Sequence, residues 1–156
     1  MTDRRREPGS RQLATMIDAA RVFAGITAES IAQSGAALTL PQLRVLVLAS
    51  LAEPLNATAV AAALEVHLSS ASRICDRLVR GGLLARRDRP DDRRHLELTL
   101  TEEGERVLAD ITAHRKRVFS RILRRIDPAD RALLTDALGP FIDAATEYDN
   151  RRSLMP

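Results

Sequence analysis

Apolar residues recur every three to four positions along most of this chain, the spacing that gathers them on one side of an α-helix. The first such stripe, between residues 11 and 33, includes Leu13, Ile17 and Phe23. Residues 1–10 before it are polar and charged, and we expect them to be disordered. Similar stripes predict five further helices, over residues 40–51, 57–64, 69–80, 102–126 and 128–148.

Capping residues stand at the starts of several predicted helices. Thr39 and Gln42 have the spacing of a capping box, in which each side chain binds the other residue's backbone N–H. Asn56, Thr101 and Asp127 stand immediately before predicted helices, where a side-chain oxygen can accept from an unpaired backbone N–H. These signals support the helix boundaries that the apolar stripes suggest.

The periodicity changes after the glycine pair at 81–82, which is typical of a helix end. Residues 83–87 form a short strand candidate, and residues 95–100 alternate between polar and apolar as a half-buried strand does. Residues 89–92 between them have the composition of a turn. The sequence therefore predicts a mainly α-helical fold with one small β-hairpin.

Composition agrees with this fold class. The 156 residues are 45% hydrophobic but only 3% aromatic, which favours packing of aliphatic helices over an aromatic-rich β-sandwich. No segment approaches the roughly 18 consecutive apolar residues of a membrane span, and the charged N-terminus does not resemble a signal peptide. Together with the single Cys75, these features predict a cytoplasmic protein without a membrane partner.

The net charge of +3 is concentrated in one segment. Residues 73–94 contain eight arginines and four aspartates, a net charge of +4, whereas the rest of the chain has 16 basic and 17 acidic residues, a net charge of −1. A local basic segment on a balanced protein indicates a polyanionic partner such as DNA. Taken alone, such a segment is more often a solvated charged face.

The predicted helices over 57–64 and 69–80 are joined by a short turn, as in a helix-turn-helix. In that motif the second helix enters the major groove of DNA, and its N-terminal residues reach the base edges. Those residues are here Ser69, Ser70, Ser72 and Arg73. Arg73 can bind a guanine through two hydrogen bonds, and Arg77 is better placed for a phosphate. The same residues would also suit the surface of an ordinary helix.

The hairpin strengthens the DNA-binding interpretation. Its arginines are Arg86, Arg87, Arg89, Arg93 and Arg94. A narrow two-stranded ribbon with arginine near its tip can reach the minor groove, whose negative potential attracts guanidinium groups. Phosphate would repel Asp92, so we expect this carboxylate to orient a neighbouring arginine such as Arg94. Arg86 and Arg93 are further candidate DNA contacts.

The order and spacing of these motifs resemble the multiple antibiotic resistance regulator (MarR) family. The resemblance covers about residues 13–148, and it is strongest over residues 38–46, 72–78, 82–86, 92–94 and 100–104. It implies one domain over residues 11–149, with a winged helix-turn-helix over about 39–100. The terminal helices, over about 11–35 and 101–149, would then join two copies into a homodimer.

The resemblance also implies a function. Members of the family bind a pseudo-palindromic operator in double-stranded DNA, and many are repressors released by a small aromatic or phenolic effector or by oxidation. It assigns Arg73 to a base contact, Asp92 and Arg94 to a pair in the wing, and Arg94 to the minor groove. Candidate effector contacts are Phe23, Leu46 and Val47, which core packing would explain equally well. The direction of regulation, repression or activation, stays open at this point.

The chain departs from the family pattern at two positions. His67 stands near the start of the recognition helix, where a small polar cap is usual. Cys75 lies inside that helix, whereas the family's peroxide sensors carry their reactive thiol in the first helix. A buried, unreactive thiol is therefore the favoured interpretation of Cys75. A redox role would need a pKa lowered by Arg73 or Arg77.

Two other classes of function compete with DNA binding. A winged helix can serve as a protein–protein adaptor, although an arginine-rich wing argues against it. An enzyme would need a glycine-rich phosphate loop, a nucleophile placed with a histidine or paired carboxylates, and the chain lacks them outside the turn at 91–92. His67, His95 and His114 are not spaced as metal ligands, so we expect no metal or other cofactor.

Overall fold

The computed structural model describes residues 7–51, 55–89 and 92–153, and the side chains of residues 88–96 and 148–153 fall outside that description. Six helices and one antiparallel hairpin follow one another along the described residues. They are α1 (Ser10–Gln33), α2 (Leu40–Leu51), α3 (Ala57–Leu64), α4 (Leu68–Arg80), β1 (Leu84–Arg89), β2 (Asp92–Leu100), α5 (Glu102–Leu123) and α6 (Pro128–Ser153). The mainly helical fold with one small hairpin is confirmed.

The predicted capping residues make the expected hydrogen bonds. Thr39 N–H donates to Gln42 Oε1 at 2.8 Å, and Gln42 N–H donates to Thr39 Oγ1 at 3.4 Å, so the capping box of α2 is present. The side-chain oxygens of Asn56 and Thr101 accept from the N–H three residues later, at 2.8 and 3.0 Å. Asp127 Oδ1 accepts from the N–H two residues later at 2.9 Å. Local sequence therefore determines four of the helix starts.

The ends of several elements differ from the prediction. Helix α5 ends at Leu123 rather than near residue 126, and α6 continues through Gly139 and Pro140 to Ser153. The strands extend further towards the tip than the alternation indicated. Residues 90–91 of the predicted turn lie outside the described part of the chain. So do residues 1–6 of the predicted disordered tail.

The core lies between α2, α3, α4, the hairpin and α5. Its most buried side chains are Val45, Leu46, Val60, Ala71, Cys75, Leu78, Leu84, Val107 and Ile111. Leu98 N–H donates to the carbonyl of Leu55 at 2.8 Å, and the two residues form an isolated antiparallel β-bridge alongside β2. This cluster fixes α4 and the wing to one another as parts of a single packed unit.

The hairpin register gives its two faces different neighbours. Arg86 is paired with Leu98, and Ala85 is paired with Thr99. Because successive strand residues point to opposite faces, Arg86 shares the face of the buried Leu98, while Arg87 shares the face of Thr99. The side chains of Arg86 and Arg87 therefore lie on opposite faces of the hairpin.

The first turn of α5 packs directly against the backbone that precedes the wing. A Cβ atom added at Gly104 would lie 2.2 Å from the carbonyl oxygen of Leu83 and 3.1 Å from Cδ2 of Leu100. Thr101 Oγ1 also donates to the carbonyl of Gly82 at 2.6 Å. The base of the wing and the start of α5 are thus joined by close backbone contact.

The terminal helices bury little within the chain. In α1 the buried residues are Ile26 and Ser30, on the side that faces α5, and α6 has no buried residue among its described side chains. The large apolar side chains that these helices leave exposed are Leu13, Met16, Ile17, Val22, Phe23, Leu133, Leu134, Phe141 and Ile142. Over the described residues, no helix is long and apolar enough to cross a bilayer.

Candidate nucleic-acid interface

Helix α4 has two chemically distinct faces. Ala71, Cys75 and Leu78 follow the helical spacing and are at most 1% exposed, because they pack into the core. Of the predicted DNA contacts, Ser69, Ser70, Arg73 and Arg77 are exposed and Ser72 is half-buried. The structure thus brings these five residues together on one helix, away from the core.

The polar face of α4 is free to bind a partner. Within the described residues, the side chains of Ser69, Ser70, Ser72, Arg73 and Arg77 have no hydrogen-bond or ion-pair partner. The backbone adds to this positive surface, because the N-terminal N–H groups of a helix carry a partial positive charge. The side chain of the N-cap residue His67 makes no hydrogen bond to these N–H groups and so does not cap the helix.

Arg86, which we predicted to contact DNA, forms an ion pair with Asp76 of α4. Both side chains are a little over 40% exposed, so the pair lies at the edge of the polar face. Arg80 Nε donates to the backbone carbonyl of Asp76 at 3.3 Å. The pair joins β1 to α4, so one part of the Arg86 guanidinium is already engaged within the chain.

The pairing of Asp76 with Arg86 was missed by sequence reasoning. The two residues are ten apart and lie on different elements, so neither helical nor strand spacing brings them together. The hairpin register supplies the missing information, because it turns Arg86 towards the face that packs beside α4.

The tip residues of the wing can be located only through their backbone. Asp92, Arg93 and Arg94 form the start of β2, and Asp92 is paired with Arg89. Their side chains lie outside the described part of the structure. The predicted pair between Asp92 and Arg94, and the minor-groove contact of Arg94, stay predictions.

Cys75 is buried, as the favoured interpretation required. Its exposure is 1%. Burial raises the pKa of the Cys75 thiol, the neighbouring Asp76 carboxylate raises it further, and Arg86 acts in the opposite direction. Because nucleophilic thiols need a lowered pKa, this environment suits a core side chain rather than a redox sensor.

The three candidate effector contacts lie in different surroundings. Leu46 is fully buried in the core, so core packing accounts for it. Phe23 is partly exposed on α1 and packs edge-to-face on Phe119, with ring centroids 6.0 Å apart. Val47 is 37% exposed on α2, where it lines a cavity against α5. The described residues hold no cluster of potential metal ligands.

Comparison with known proteins identifies the family. A model of the MarR family matches residues 38–96, from just before α2 into β2. The crystal structure of RV1404 from Mycobacterium tuberculosis is 36% identical and has a TM-score of 0.81, over 89% of this chain and 96% of that one. The chain belongs to the MarR family. The predicted family and its winged-helix fold are thereby confirmed.

Two further similar proteins are a transcriptional repressor and a protein whose structure contains bound DNA. The HTH-type transcriptional repressor MdtR of Bacillus subtilis strain 168 is 37% identical over 79 residues, which are 49% of this chain and 51% of that repressor. The match therefore spans about half the length of this curated relative. The structure of a point mutant of MepR from S. aureus, bound to an oligodeoxyribonucleotide, shares the fold with a TM-score of 0.65 at 17% identity, over 89% of this chain and 99% of that one.

Proposed function

We propose that this MarR-family chain is a homodimeric transcriptional repressor that binds a pseudo-palindromic operator in double-stranded DNA. The observation that carries the proposal is the exposed face of α4, which presents Arg73 and Arg77 without any partner among the described residues. A helix with one buried apolar face and one free basic face, followed by an arginine-rich hairpin, has the chemistry that reads a groove and its phosphates.

Each element has a distinct part in this proposal. Helix α4 enters the major groove, where Ser70, Ser72 and Arg73 contact base edges and Arg77 binds a phosphate. The wing follows the adjacent backbone, with Arg93 on a phosphate and Arg94 in the minor groove. The pair between Arg86 and Asp76 sets the position of the wing relative to α4, so its main contribution is orientation.

The homodimer is supported by the exposed apolar side chains of the terminal helices. Leu133, Phe141 and Ile142 of α6 are at least half exposed, and α1 exposes Leu13 and Ile17 to a similar extent. Apolar surface of this extent marks an interaction site. A two-fold pair of chains joined through α1 and α6 would present two copies of α4, which matches the symmetry of a palindromic operator.

Operator binding tests the proposal directly. With an operator selected from random sequence, Arg73→Ala should cost about 1–3 kcal/mol and relax discrimination at one base position, measured by fluorescence anisotropy. Arg94→Ala should weaken binding and reduce the preference for a narrow minor groove. Arg21→Ala is the matched control, since it removes one exposed guanidinium from α1, where Arg21 pairs with Asp18. If both test variants bind as well as the parent, the assignment of the interface is wrong.

An adaptor that binds protein through its winged helix is the competing function. The two functions differ in their response to nonspecific DNA at low salt, which an adaptor would bind little. A DNA-binding dimer should retard random duplex, and the logarithm of its affinity should fall with the logarithm of salt concentration by about 0.9 per phosphate contact. A flat salt dependence would favour the adaptor.

A small-molecule effector is the last part of the proposal. Its support is a cavity of about 700 Å³ between α2 and α5. A ligand that binds one arrangement of these helices better than another would shift the population that fits DNA.

A further inference from the structure

We propose that Leu68, the first residue of α4, determines specificity by contacting the C5-methyl group of a thymine in the major groove. Because this role requires α4 to enter that groove, it rests on the proposed function. It adds one base type to the operator that the other residues of α4 do not select. Arg73 is suited to guanine, and a serine hydroxyl can pair with several bases.

The N-terminal end of α4 protrudes from the core. Residues 65–70, from the end of α3 to the second serine of α4, are all exposed, whereas Ala71 and Cys75 are at most 1% exposed. Leu68 lies seven residues before Cys75, on the same side of the helix, and yet it is 53% exposed. The core therefore ends below the first turn of α4, and Leu68 extends beyond it.

Leu68 is the one large side chain of that first turn. The three residues that follow it, Ser69, Ser70 and Ala71, are all small. Because the Cα–Cβ bonds of an α-helix tilt towards its N-terminus, a side chain in the first turn projects past the end of the helix. In the proposed complex this end approaches the base edges, so Leu68 reaches further into the groove than its neighbours do.

The chemistry of the groove decides what an apolar side chain can bind there. Base edges in the major groove are mostly hydrogen-bond donors and acceptors, and the C5-methyl group of thymine is their apolar group. A leucine that covers a polar edge displaces water without replacing its hydrogen bonds, which costs free energy. A leucine that covers a methyl group buries apolar surface on both sides and gains free energy. Leu68 therefore favours thymine over the other three bases.

Leu68 and Arg73 read different base pairs in this arrangement. Five residues separate them, which places them about 7.5 Å apart along the helix axis and about 140° apart around it. The two side chains consequently approach the groove from different points on α4. Loss of the Leu68 contact should leave the guanine preference that we assign to Arg73 unchanged, and general damage to α4 should not.

The closing experiment replaces thymine with deoxyuridine, which lacks only the C5-methyl group. With an operator selected from random duplex by the full chain, each symmetry-related pair of thymines is replaced in turn, and affinity is measured by fluorescence anisotropy. At one pair of positions, binding of the parent should weaken about fourfold for each methyl group removed, the equivalent of about 0.8 kcal/mol. Leu68→Ala should bind the thymine and deoxyuridine operators equally well.

Two further variants separate the methyl contact from other effects of the substitution. Leu40→Ala is the matched control, because Leu40 is also the first residue of its helix and is also 53% exposed. It should show the same methyl effect as the parent. Leu68→Met keeps an apolar side chain of similar size and should retain the effect. The thermal melt of each variant, followed by circular dichroism, should match that of the parent.

The possible outcomes distinguish failure of this role from failure of the proposed function. If the parent binds its operator but senses no thymine methyl group, or if the methyl effect persists in Leu68→Ala, the role of Leu68 is wrong and DNA binding stands. Loss of the effect in Leu40→Ala would equally contradict the assignment to Leu68. If the parent binds no duplex, the proposed function is wrong and the role of Leu68 is wrong with it.

Discussion

The winged unit and the terminal helices place their apolar side chains in opposite environments. On α4, Ala71, Cys75 and Leu78 are at most 1% exposed. On α6, Leu133 is 67% exposed and Ile142 is 58% exposed. Both helices carry apolar residues at helical spacing, so the difference lies in what each helix packs against.

This difference separates a region that is complete within one chain from a region that needs another surface. The core side chains of α2 to α5 are buried against one another, so contacts within the chain stabilise the winged unit. Within the part of the chain that the structure describes, the apolar residues of α6 have no comparable cover, and in water they favour association with a second surface. Damage to the two regions should consequently be visible in different measurements.

The largest effect should follow from a change inside the winged unit. Gly104→Ala adds a Cβ that would lie 2.2 Å from the carbonyl oxygen of Leu83, so backbone must move at the joint of wing and α5. We expect a loss of about 3 kcal/mol or more in the free energy of unfolding, the upper range of overpacking effects. Denaturant unfolding followed by circular dichroism measures this loss.

Gly25→Ala in α1 is the control for the glycine substitution. An added Cβ at Gly25 meets no atom within 4 Å, and alanine is the better helix former. We expect this variant to be neutral or more stable by up to about 1 kcal/mol. A Gly104→Ala protein as stable as the parent would show that the contact between wing and α5 is not tightly packed. A loss in Gly25→Ala would instead place Gly25 in the proposed dimer contact of α1.

A smaller loss of stability, but a large change in assembly, should follow from charges on α6. Leu134→Glu together with Phe141→Glu puts two carboxylates on the side of the helix that we assign to the dimer. Removing two large apolar contacts should raise the dimer dissociation constant at least about a hundredfold. Sedimentation velocity measures the assembly, and circular dichroism should show the winged unit still folded.

Asp136→Ala with Asp143→Ala provides a control of equal size on the opposite side of α6. This variant should keep the oligomeric state of the parent. A Leu134→Glu, Phe141→Glu protein that stays dimeric would mean that the exposed apolar face of α6 is not the dimer contact. Some other surface would then have to cover that face of α6.

The comparison also explains which features could be predicted from sequence. Helical spacing, the capping box of Thr39 and Gln42 and the alternation in residues 95–100 are local, and the structure confirms each of them. The burial of Cys75 follows from the same spacing. These features depend on residues that are close in sequence, so one sequence is enough to predict them.

Other features depend on tertiary contacts that spacing does not encode. Leu46 fits an apolar lining and a core position equally well by pattern, and only the packing of α2 decides for the core. Arg87 and Thr99 line one cavity because the hairpin register turns them to the same face. The uncovered apolar face of α6 has the same periodicity as a buried one, so sequence predicts a helix there but not its neighbour.

The smallest expected effect on stability concerns the ion pair between Asp76 and Arg86. Because both side chains are more than 40% exposed, we expect the pair to contribute only about 0.2–1 kcal/mol, measured by a double-mutant cycle of Asp76→Asn and Arg86→Gln. The Asp18–Arg21 pair of α1 is the control cycle, since it is exposed and joins no two elements.

Operator affinity of the Asp76→Asn variant then distinguishes a role of the ion pair in orienting the wing from a purely electrostatic effect of Asp76 on DNA. Asp76→Asn removes a negative charge beside the polar face of α4 that we propose to bind DNA, so electrostatics alone would strengthen binding. If the pair positions the wing, affinity should instead fall by about three- to tenfold, because Arg86 no longer holds β1 against α4. A rise in affinity for Asp76→Asn would show that the wing needs no such restraint and that its orientation is set entirely by the buried contacts of Leu84 and Leu98.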